Sequence, residues 1–251
     1  MKVYLNNVTK TYNHRGSPAV NNISFTVEEG EILSLLGPSG CGKTTTLRLL
    51  AGFEVLDSGL IYFDQELIAS QNFNLPPEER NIGMVFQDYA LFPHLNVFEN
   101  ITFGLRDKKI KHQECEKLLR LVNLTGFEKR YPHELSGGQQ QRIALARALS
   151  TKPGLILMDE PFSNLDTFLK KQMREEIKRI VKNSGVSAVI VTHDPEDALV
   201  MADKIIIMKN GIIEQQGPPQ ELYERPATEF VAGFLGKANI LDPLTGIAYM
   251  P

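Results

Sequence analysis

Residues 37–44 read GPSGCGKT and lie between a short apolar stretch, EILSLL, and a stretch with helical character. The segment matches the pattern G-x-x-x-x-G-K-[ST] in the strand-to-helix context that this pattern requires. Glycines in such a loop let successive backbone N–H groups curl around phosphate oxygens, and the helix N-terminus adds partial positive charge. Lys43 is expected to reach the β- and γ-phosphates of a nucleotide, and the Thr44 hydroxyl to ligate Mg²⁺. The predicted nucleotide-binding residues of this loop are Gly37, Pro38, Ser39, Gly40, Cys41, Gly42, Lys43, Thr44 and Thr45.

Two adjacent carboxylates follow a second buried stretch, LILM, as Asp159 and Glu160. A carboxylate at the C-terminal end of a buried strand lies at the ligand-binding edge of a sheet, which makes Asp159 a predicted Mg²⁺ ligand. Glu160 is not needed for the metal, and it suits a base that polarises an attacking water. The alternative is an acidic pair that caps the next helix. The phosphate loop upstream favours the catalytic interpretation.

These two motifs together predict an enzyme that hydrolyses a nucleoside triphosphate. The sequence has no N-K-x-D motif for reading guanine, which weakens a GTPase interpretation. It also lacks H-R-D-x-x-x-x-N and D-F-G, so nothing supports a protein kinase.

Composition sets the broad class of the protein. The chain has 251 residues, 42% of them apolar and 23% charged, with a net charge of −3. No global basic field favours nucleic acid as a ligand. The two cysteines have no metal-ligand spacing, which fits a reducing compartment. The N-terminus does not read as a signal peptide, and no run approaches the ~20 apolar residues that cross a bilayer. We therefore expect a cytoplasmic protein whose membrane role, if any, comes through a partner.

The pattern of apolar residues predicts an α/β protein with a central parallel sheet. Helical periods replace strand signals from Gln87 to about Leu149, which indicates a helical insertion. Asn210-Gly211 between apolar runs predicts a hairpin. The polar, proline-bearing stretch 69–80 is expected to be a surface loop. Predicted strands are 3–12, 19–27, 31–36, 60–64, 81–86, 155–160 and 186–192, and predicted helices include 43–51 and 165–183.

A second candidate anion site opens the stretch 135–149, LSGGQQQRIALARAL. A Ser-Gly-Gly start exposes backbone N–H groups at a helix N-terminus. Together with GPSGCGKT upstream and LILMDEP downstream, LSGGQQQR makes the sequence resemble an ATPase subunit of the ABC transporter family, to about Asn239. The resemblance implies a P-loop NTPase (RecA-like) core with an antiparallel β subdomain. It also implies an ATPase domain over 1–236 whose helical subdomain, about 88–149, carries the signature motif.

The resemblance also assigns roles to residues outside the phosphate loop. Tyr12 matches the aromatic residue that stacks on adenine, although a strand aromatic in the core is the alternative. Gln87 matches the glutamine that senses Mg²⁺ and the attacking water, and His193 the histidine that holds the γ-phosphate. Residues 163–166, SNLD, match a loop that crosses a dimer interface, where Asp166 would serve the partner's nucleotide. The catalytic set is therefore Lys43, Gln87, Glu160 and His193, and the metal set is Thr44, Gln87 and Asp159.

In this family two subunits pack head to tail, and each ATP lies between the phosphate loop of one and the signature of the other. The resemblance therefore implies a homodimer in which Ser136, Gly137, Gly138 and Gln139 face the partner's γ-phosphate. ATP and Mg²⁺ are the implied cofactors. This arrangement explains why one chain would carry two phosphate-binding motifs.

A single ATPase unit without a transmembrane segment resembles the separate ATPase subunits of bacterial importers. Such a subunit lies peripherally on the cytoplasmic face of the inner membrane, binds permease subunits, and serves a solute-binding protein indirectly. Tyr89, Leu91 and Phe92 are expected to be exposed for docking a permease helix.

The motifs RYPHELSGGQQQR and ASQNFNLPPEERNIGMVFQ look most like those of ferric-iron importer ATPases. Spermidine/putrescine, sulfate/molybdate and sugar importers share most of the pattern, so these cargoes remain alternatives. A non-transport ABC ATPase is a further alternative, but repair members of the family separate these motifs with a long coiled coil, and here Gly37 and Ser136 are only 99 positions apart. Residues 237–251 resemble only the approach to the β-rich regulatory domain that such importers usually carry.

Overall fold

Two β-sheets, one antiparallel and one mostly parallel, lie on either side of the helix that follows the GPSGCGKT loop in the computed structural model. The structure describes residues 1–12 and 16–236 and the strands 240–241 and 248–249. The strands are β1 (Val3–Lys10), β2 (Val20–Val27), β3 (Ile32–Leu36), β4 (Ser58–Phe63), β5 (Glu66–Ser70), β6 (Phe73–Asn74), β7 (Ile82–Val85), β8 (Leu155–Asp159), β9 (Ser187–Thr192), β10 (Lys204–Lys209), β11 (Ile212–Gly217), β12 (Ile240–Leu241) and β13 (Ala248–Tyr249). The helices are α1 (Lys43–Ala51), α2 (Val97–Ile101), α3 (Lys111–Leu121), α4 (Gly137–Ser150), α5 (Thr167–Ser184), α6 (Pro195–Met201), α7 (Pro219–Glu224) and α8 (Glu229–Phe234), with 3₁₀ turns at Pro77–Glu79 and Pro132–Glu134.

The larger sheet has the strand order β11-β10-β3-β9-β8-β7, and every neighbouring pair is parallel except β10 and β11. Its strands end level with one another, because Leu36 pairs with Thr192 and Val191 pairs with Asp159. The chain segments that leave β3, β8 and β9 therefore emerge side by side at one edge. In open α/β sheets this carboxyl edge is where ligands bind.

The smaller sheet is antiparallel, in the order β2-β1-β4-β5-β6. Helix α1 lies between the two sheets, where Leu47 and Leu50 are fully buried. The first four residues of β8 are apolar because both faces of the strand are buried. Leu155 and Leu157 face α1, while Ile156 and Met158 face the helices on the other side. A parallel strand buried on both faces has no polar side to show.

The range 88–149 holds helices α2, α3 and α4 and no strand. Helix α4 packs directly on β7, where a Cβ on Gly83 would lie 2.7 Å from the Ala148 carbonyl oxygen. Local signals set several boundaries. Gly52 ends α1 in the left-handed conformation, and Asn210 and Gly211 form the predicted hairpin turn with φ values of 49° and 82°.

Two expectations about loops were wrong. The stretch 69–80 is not simply a surface loop, because it completes β5, forms β6, and ends in Arg80, which is 1% exposed. The Arg80 guanidinium donates to the carbonyl oxygens of Leu49 and Leu50 at the end of α1, so tertiary contacts hold the segment down. Tyr89 is buried rather than exposed for docking.

The predicted tail 237–251 lies outside the described residues apart from the short antiparallel pair β12 and β13. In the described part of the chain, no helix combines the length and apolar character needed to span a bilayer.

Candidate active site

The phosphate loop leaves β3 and ends at Gly42, which caps α1 with a φ of 104°. A Cβ at Gly42 would lie 2.3 Å from the Ala19 carbonyl oxygen, so both the backbone angle and the space demand glycine. Lys43 is 5% exposed, and its ammonium donates to the carbonyl oxygens of Gly37 at 2.7 Å and Pro38 at 2.9 Å. The loop backbone thus surrounds the buried Lys43 ammonium. A loop of backbone N–H groups with a cation beside it is suited to bind phosphate oxygens.

Cys41 lies inside the same loop and is buried. Burial raises the pKa of its thiol, with the Lys43 ammonium opposing the shift. A protonated, buried thiol is a small apolar filler, as the sequence predicts, and not a nucleophile.

Thr44 and Asp159 meet across the sheet edge, with the hydroxyl oxygen 3.5 Å from Oδ1 of the carboxylate. Burial raises the pKa of Asp159, and the charge of Glu160 raises it further. A buried carboxylate next to a second one is stabilised by a cation, and a hydroxyl with a carboxylate is a hard-oxygen donor set. These residues therefore fit Mg²⁺. Among the described residues, no group of three or more acidic, histidine or cysteine side chains is placed to hold a metal ion.

Glu160 directly follows β8 and has a left-handed backbone with a φ of 44°. Its N–H donates to the Val191 carbonyl oxygen at 2.9 Å, and its own carbonyl oxygen accepts from the N–H and hydroxyl of Ser163. Its carboxylate Oε1 lies 3.1 Å from Nδ1 of His193, which follows the neighbouring strand β9. The sheet register thus brings the predicted base and the predicted histidine together.

Tyr12 and Gln87 lie at the margins of this region. The Tyr12 side chain is 52% exposed, and its hydroxyl lies 3.5 Å from Oγ1 of Thr45. The alternative of a core aromatic is therefore wrong, and the stacking role stays a prediction. Gln87 is exposed two residues beyond β7, and its carbonyl oxygen accepts from Nδ2 of Asn164 at 2.8 Å.

The signature residues begin helix α4. Ser136 accepts from the N–H of Gln139, and the Gln139 side chain accepts from the N–H of Ser136, which completes a capping box. Asp166 caps α5 in the same way by accepting from the Leu169 N–H. In the described part of the chain, no hydrogen bond or ion pair links residues 136–139 to residues 37–45.

Two buried polar side chains near this site were missed by the sequence analysis. Arg174 on α5 is 4% exposed and contacts the carboxylates of Asp194, Glu196 and Asp197 just beyond His193. Arg174 was not predicted to be buried, because the sequence of α5 has the charged pattern of a solvent-exposed helix. Gln141 is 1% exposed, and its amide donates to the Pro161 carbonyl oxygen at 2.8 Å. The only signal for Gln141 was the run of three glutamines.

Comparison with known proteins adds independent information. A family model described as ABC transporter matches residues 20–163. The spermidine/putrescine import ATP-binding protein PotA of Acetivibrio thermocellus is 48% identical over 244 residues, which cover 96% of this chain and 68% of that protein. The protein of the same name from Salmonella typhimurium is 49% identical, with coverage of 96% and 63%. The chain thus spans about two thirds of the length of these relatives. Neither name mentions iron, so the resemblance to ferric-iron importers gains no support.

Solved structures share the overall fold. The ATP-binding cassette MJ0796, described as dimeric and bound to ADP and Pi, matches with a TM-score of 0.71 and 31% identity over 86% of this chain and 98% of its own. The cbiO1 protein of Clostridium perfringens, described as part of the transporter complex cbiONQ, matches with a TM-score of 0.80 and 26% identity over 89% and 90%. These matches confirm the predicted fold class.

Proposed function

This chain belongs to the ABC transporter family and is its ATPase domain, and on that premise we propose that it hydrolyses ATP to power solute import. The contact between Glu160 and His193 carries the proposal for hydrolysis. These side chains lie 3.1 Å apart at the carboxyl edge of the sheet, level with the end of β3, from which the phosphate loop leaves. A carboxylate base oriented by a second group beside a phosphate loop suits attack by water on a phosphoryl group.

The residues of one chain divide the work as follows. The backbone of residues 37–44 and the Lys43 ammonium bind the phosphates and offset their charge. Glu160 accepts a hydrogen bond from the attacking water, and His193 holds the Glu160 carboxylate and contacts the γ-phosphate. Thr44 and Asp159, with Gln87 nearby, would hold Mg²⁺, which offsets the charge that develops on the phosphate oxygens. Tyr12 provides a surface for the base.

The second half of each site comes from another copy of the chain. The first turn of α4 has N–H groups without intrahelical acceptors, and Gly137 beside them is partly exposed, whereas Gly138 is buried against Met173. A partner's γ-phosphate would bind there, with Asp166 close to the same interface. ATP then lies between two copies, and hydrolysis releases them.

The surface for permease subunits is a groove of about 410 Å³ between β7 and the helical insertion. Phe86 and Phe103 are exposed along it, and Phe92 also lines it, with its ring centroid 4.5 Å from that of Phe103. An apolar groove of this kind suits an amphipathic helix from a membrane-embedded partner. Bound in this way, the chain would lie peripherally on the cytoplasmic face of the membrane.

The cargo we propose is a polyamine rather than ferric iron. The support is the identity of 48 to 49% to proteins named for spermidine/putrescine import, over 96% of this chain. Nothing in the ATPase site itself selects a cargo, because the specificity of such a system lies in the permease and in a solute-binding protein.

A transport assay tests this proposal. The chain is assembled with its permease in proteoliposomes that hold ATP inside, and the solute-binding protein is added outside with labelled spermidine or with chelated ferric iron. We expect ATP-dependent uptake of spermidine and none of iron. Uptake of iron alone would overturn the cargo, and a Glu160→Gln variant that still drives uptake would overturn the proposed role of the ATPase.

A further inference from the structure

The three consecutive glutamines of the signature helix have different contacts. Gln139 belongs to the capping box with Ser136. The Gln140 amide donates to the carbonyl oxygens of Pro132 and Leu135, so it holds the turn that leads into its own helix. These two side chains therefore support the signature itself.

Gln141 is directed elsewhere. Its Nε2 donates to the Pro161 carbonyl oxygen at 2.8 Å, directly after the catalytic Glu160. Among the described residues it is the one side chain of α4 that hydrogen-bonds to the segment 159–166. Its Oε1 is buried and has no hydrogen-bond partner. A leucine there would bring no unpaired acceptor of its own but would leave the Pro161 carbonyl oxygen without this donor, so the exchange is close to even for folding.

The backbone at Glu160 needs such support. A left-handed conformation is strained for a residue with a side chain, and it persists only when the surroundings determine it from several sides. The Val191 carbonyl oxygen accepts from the Glu160 N–H, and Ser163 donates to the Glu160 carbonyl oxygen. The Gln141 amide donates to the carbonyl oxygen of the next residue, Pro161, and Gln141 itself belongs to the helical insertion.

We propose that Gln141 is a positioning residue that ties the signature helix to Glu160 of the same chain. The helix that faces the partner's nucleotide would thereby set the conformation of the base that serves the chain's own nucleotide. Correct seating of one ATP at the signature then favours hydrolysis of the other. The inference rests on the proposed function, because it requires the shared sites of the dimer.

The first test is the Gln141→Leu variant of the full chain. We expect kcat to fall by about 10- to 100-fold, since a small misplacement of a catalytic group has effects of that size. KM for ATP should stay within about 2-fold, because the phosphate loop is untouched. The midpoint of thermal unfolding should stay near that of the wild type, since the variant removes one unpaired acceptor and leaves another. A normal kcat, or a fall in kcat matched by a large loss of thermal stability, would overturn the proposal.

The second test separates an effect on the same chain from an effect on the partner. Mixed dimers, isolated through two different affinity tags, pair one intact subunit with one that carries Glu160→Gln. ATP can then be hydrolysed only at the site that contains the intact subunit's Glu160. The signature that completes this active site belongs to the other subunit. Gln141→Leu is then placed in either subunit, and single-turnover hydrolysis is measured.

We expect slow hydrolysis only when Gln141→Leu lies in the subunit with the intact Glu160. The matched control, Gln113→Leu in that same subunit, should keep the rate of the unsubstituted mixed dimer, because Gln113 is exposed on α3 and lies outside the ATP site and the signature. Slow hydrolysis only with Gln141→Leu in the other subunit would mean that Gln141 supports the signature, which overturns the proposal. An unsubstituted mixed dimer without activity would contradict the proposed shared site instead, and kcat and thermal stability of the Gln141→Leu homodimer then decide the role of Gln141.

Discussion

The Nδ1 atom of His193 lies 3.1 Å from Oε1 of Glu160, across the ends of two neighbouring parallel strands. The side chain of His193 is 53% exposed and that of Glu160 24%, so both reach solvent at this edge of the sheet. Strand register, rather than proximity in sequence, creates this pair.

A double-mutant cycle tests whether the pair acts as a unit. Glu160→Gln should lower kcat by about 100-fold or more, and His193→Ala by a similar factor. Because each side chain positions the other, the double variant should be no slower than the slower single variant. The measurement is steady-state hydrolysis at saturating ATP. Additive losses would contradict a shared role.

Removal of the Arg174 guanidinium should destabilise the fold, because it leaves the buried carboxylate of Asp197 without its cation. Arg174 donates to Asp197 at 2.6 Å, and Asp197 is 4% exposed, with burial already raising the pKa of its carboxyl group. We expect Arg174→Met to lower the free energy of unfolding by about 3–5 kcal/mol. The matched control is Glu196→Ala, because Glu196 contacts the same guanidinium but is exposed, so its loss should cost under about 1 kcal/mol. Denaturant titration measures both, and equal losses would contradict the account.

The exposed ring of Phe103 should matter for coupling to the permease. Phe103 is 60% exposed in the groove next to β7, and a charge there would oppose an apolar partner helix. We expect Phe103→Glu to abolish the stimulation of ATP hydrolysis by the permease complex. Ile212→Glu is the matched control, since Ile212 is 41% exposed on β11 at the opposite edge of the sheet. Equal stimulation of both variants would contradict the proposed docking surface.

Alkaline pH should destabilise the chain through Cys115. Burial raises the pKa of this thiol to about 12, and Glu128 adds to the shift. Above its ordinary pKa of 9.0 the unfolded thiol loses its proton, while the folded thiol keeps it up to about 12. This contribution to stability is therefore complete below pH 9 and declines as pH rises to 12, by at most about 1.4 kcal/mol per pH unit. The midpoint of thermal unfolding is measured from about pH 8 to about pH 11 in steps of about one unit. It should fall more steeply with pH for the wild type than for Cys115→Ala. Parallel curves would contradict the assignment.

The parts of the fold that local sequence determines were predicted well. Gly52 ends its helix and Asn210-Gly211 turns its hairpin because both conformations depend on residues that tolerate positive φ. Glu160 and His193 were each predicted to lie beside the nucleotide site at the end of a buried strand, but their contact with each other was not predicted.

Buried polar residues could not be found in this way. Arg80, Gln141 and Arg174 look like surface residues, and only tertiary contacts supply the carbonyl oxygens and carboxylates that satisfy them. Tyr89 was wrongly predicted to be exposed for a similar reason. Its carbonyl oxygen accepts from Arg147 on α4, which holds that turn against the helical insertion.

The central claim is that each ATP lies between two copies of this chain, bound by residues 37–44 of one and by Ser136 of the other. Sedimentation of the Glu160→Gln variant with ATP tests it most directly when compared with the Glu160→Gln/Ser136→Arg double variant. We predict ATP-dependent dimers for the first variant. The double variant should remain monomeric while each monomer still binds ATP nearly as well. Dimers of the double variant, or loss of ATP binding by its monomers, would contradict the shared site.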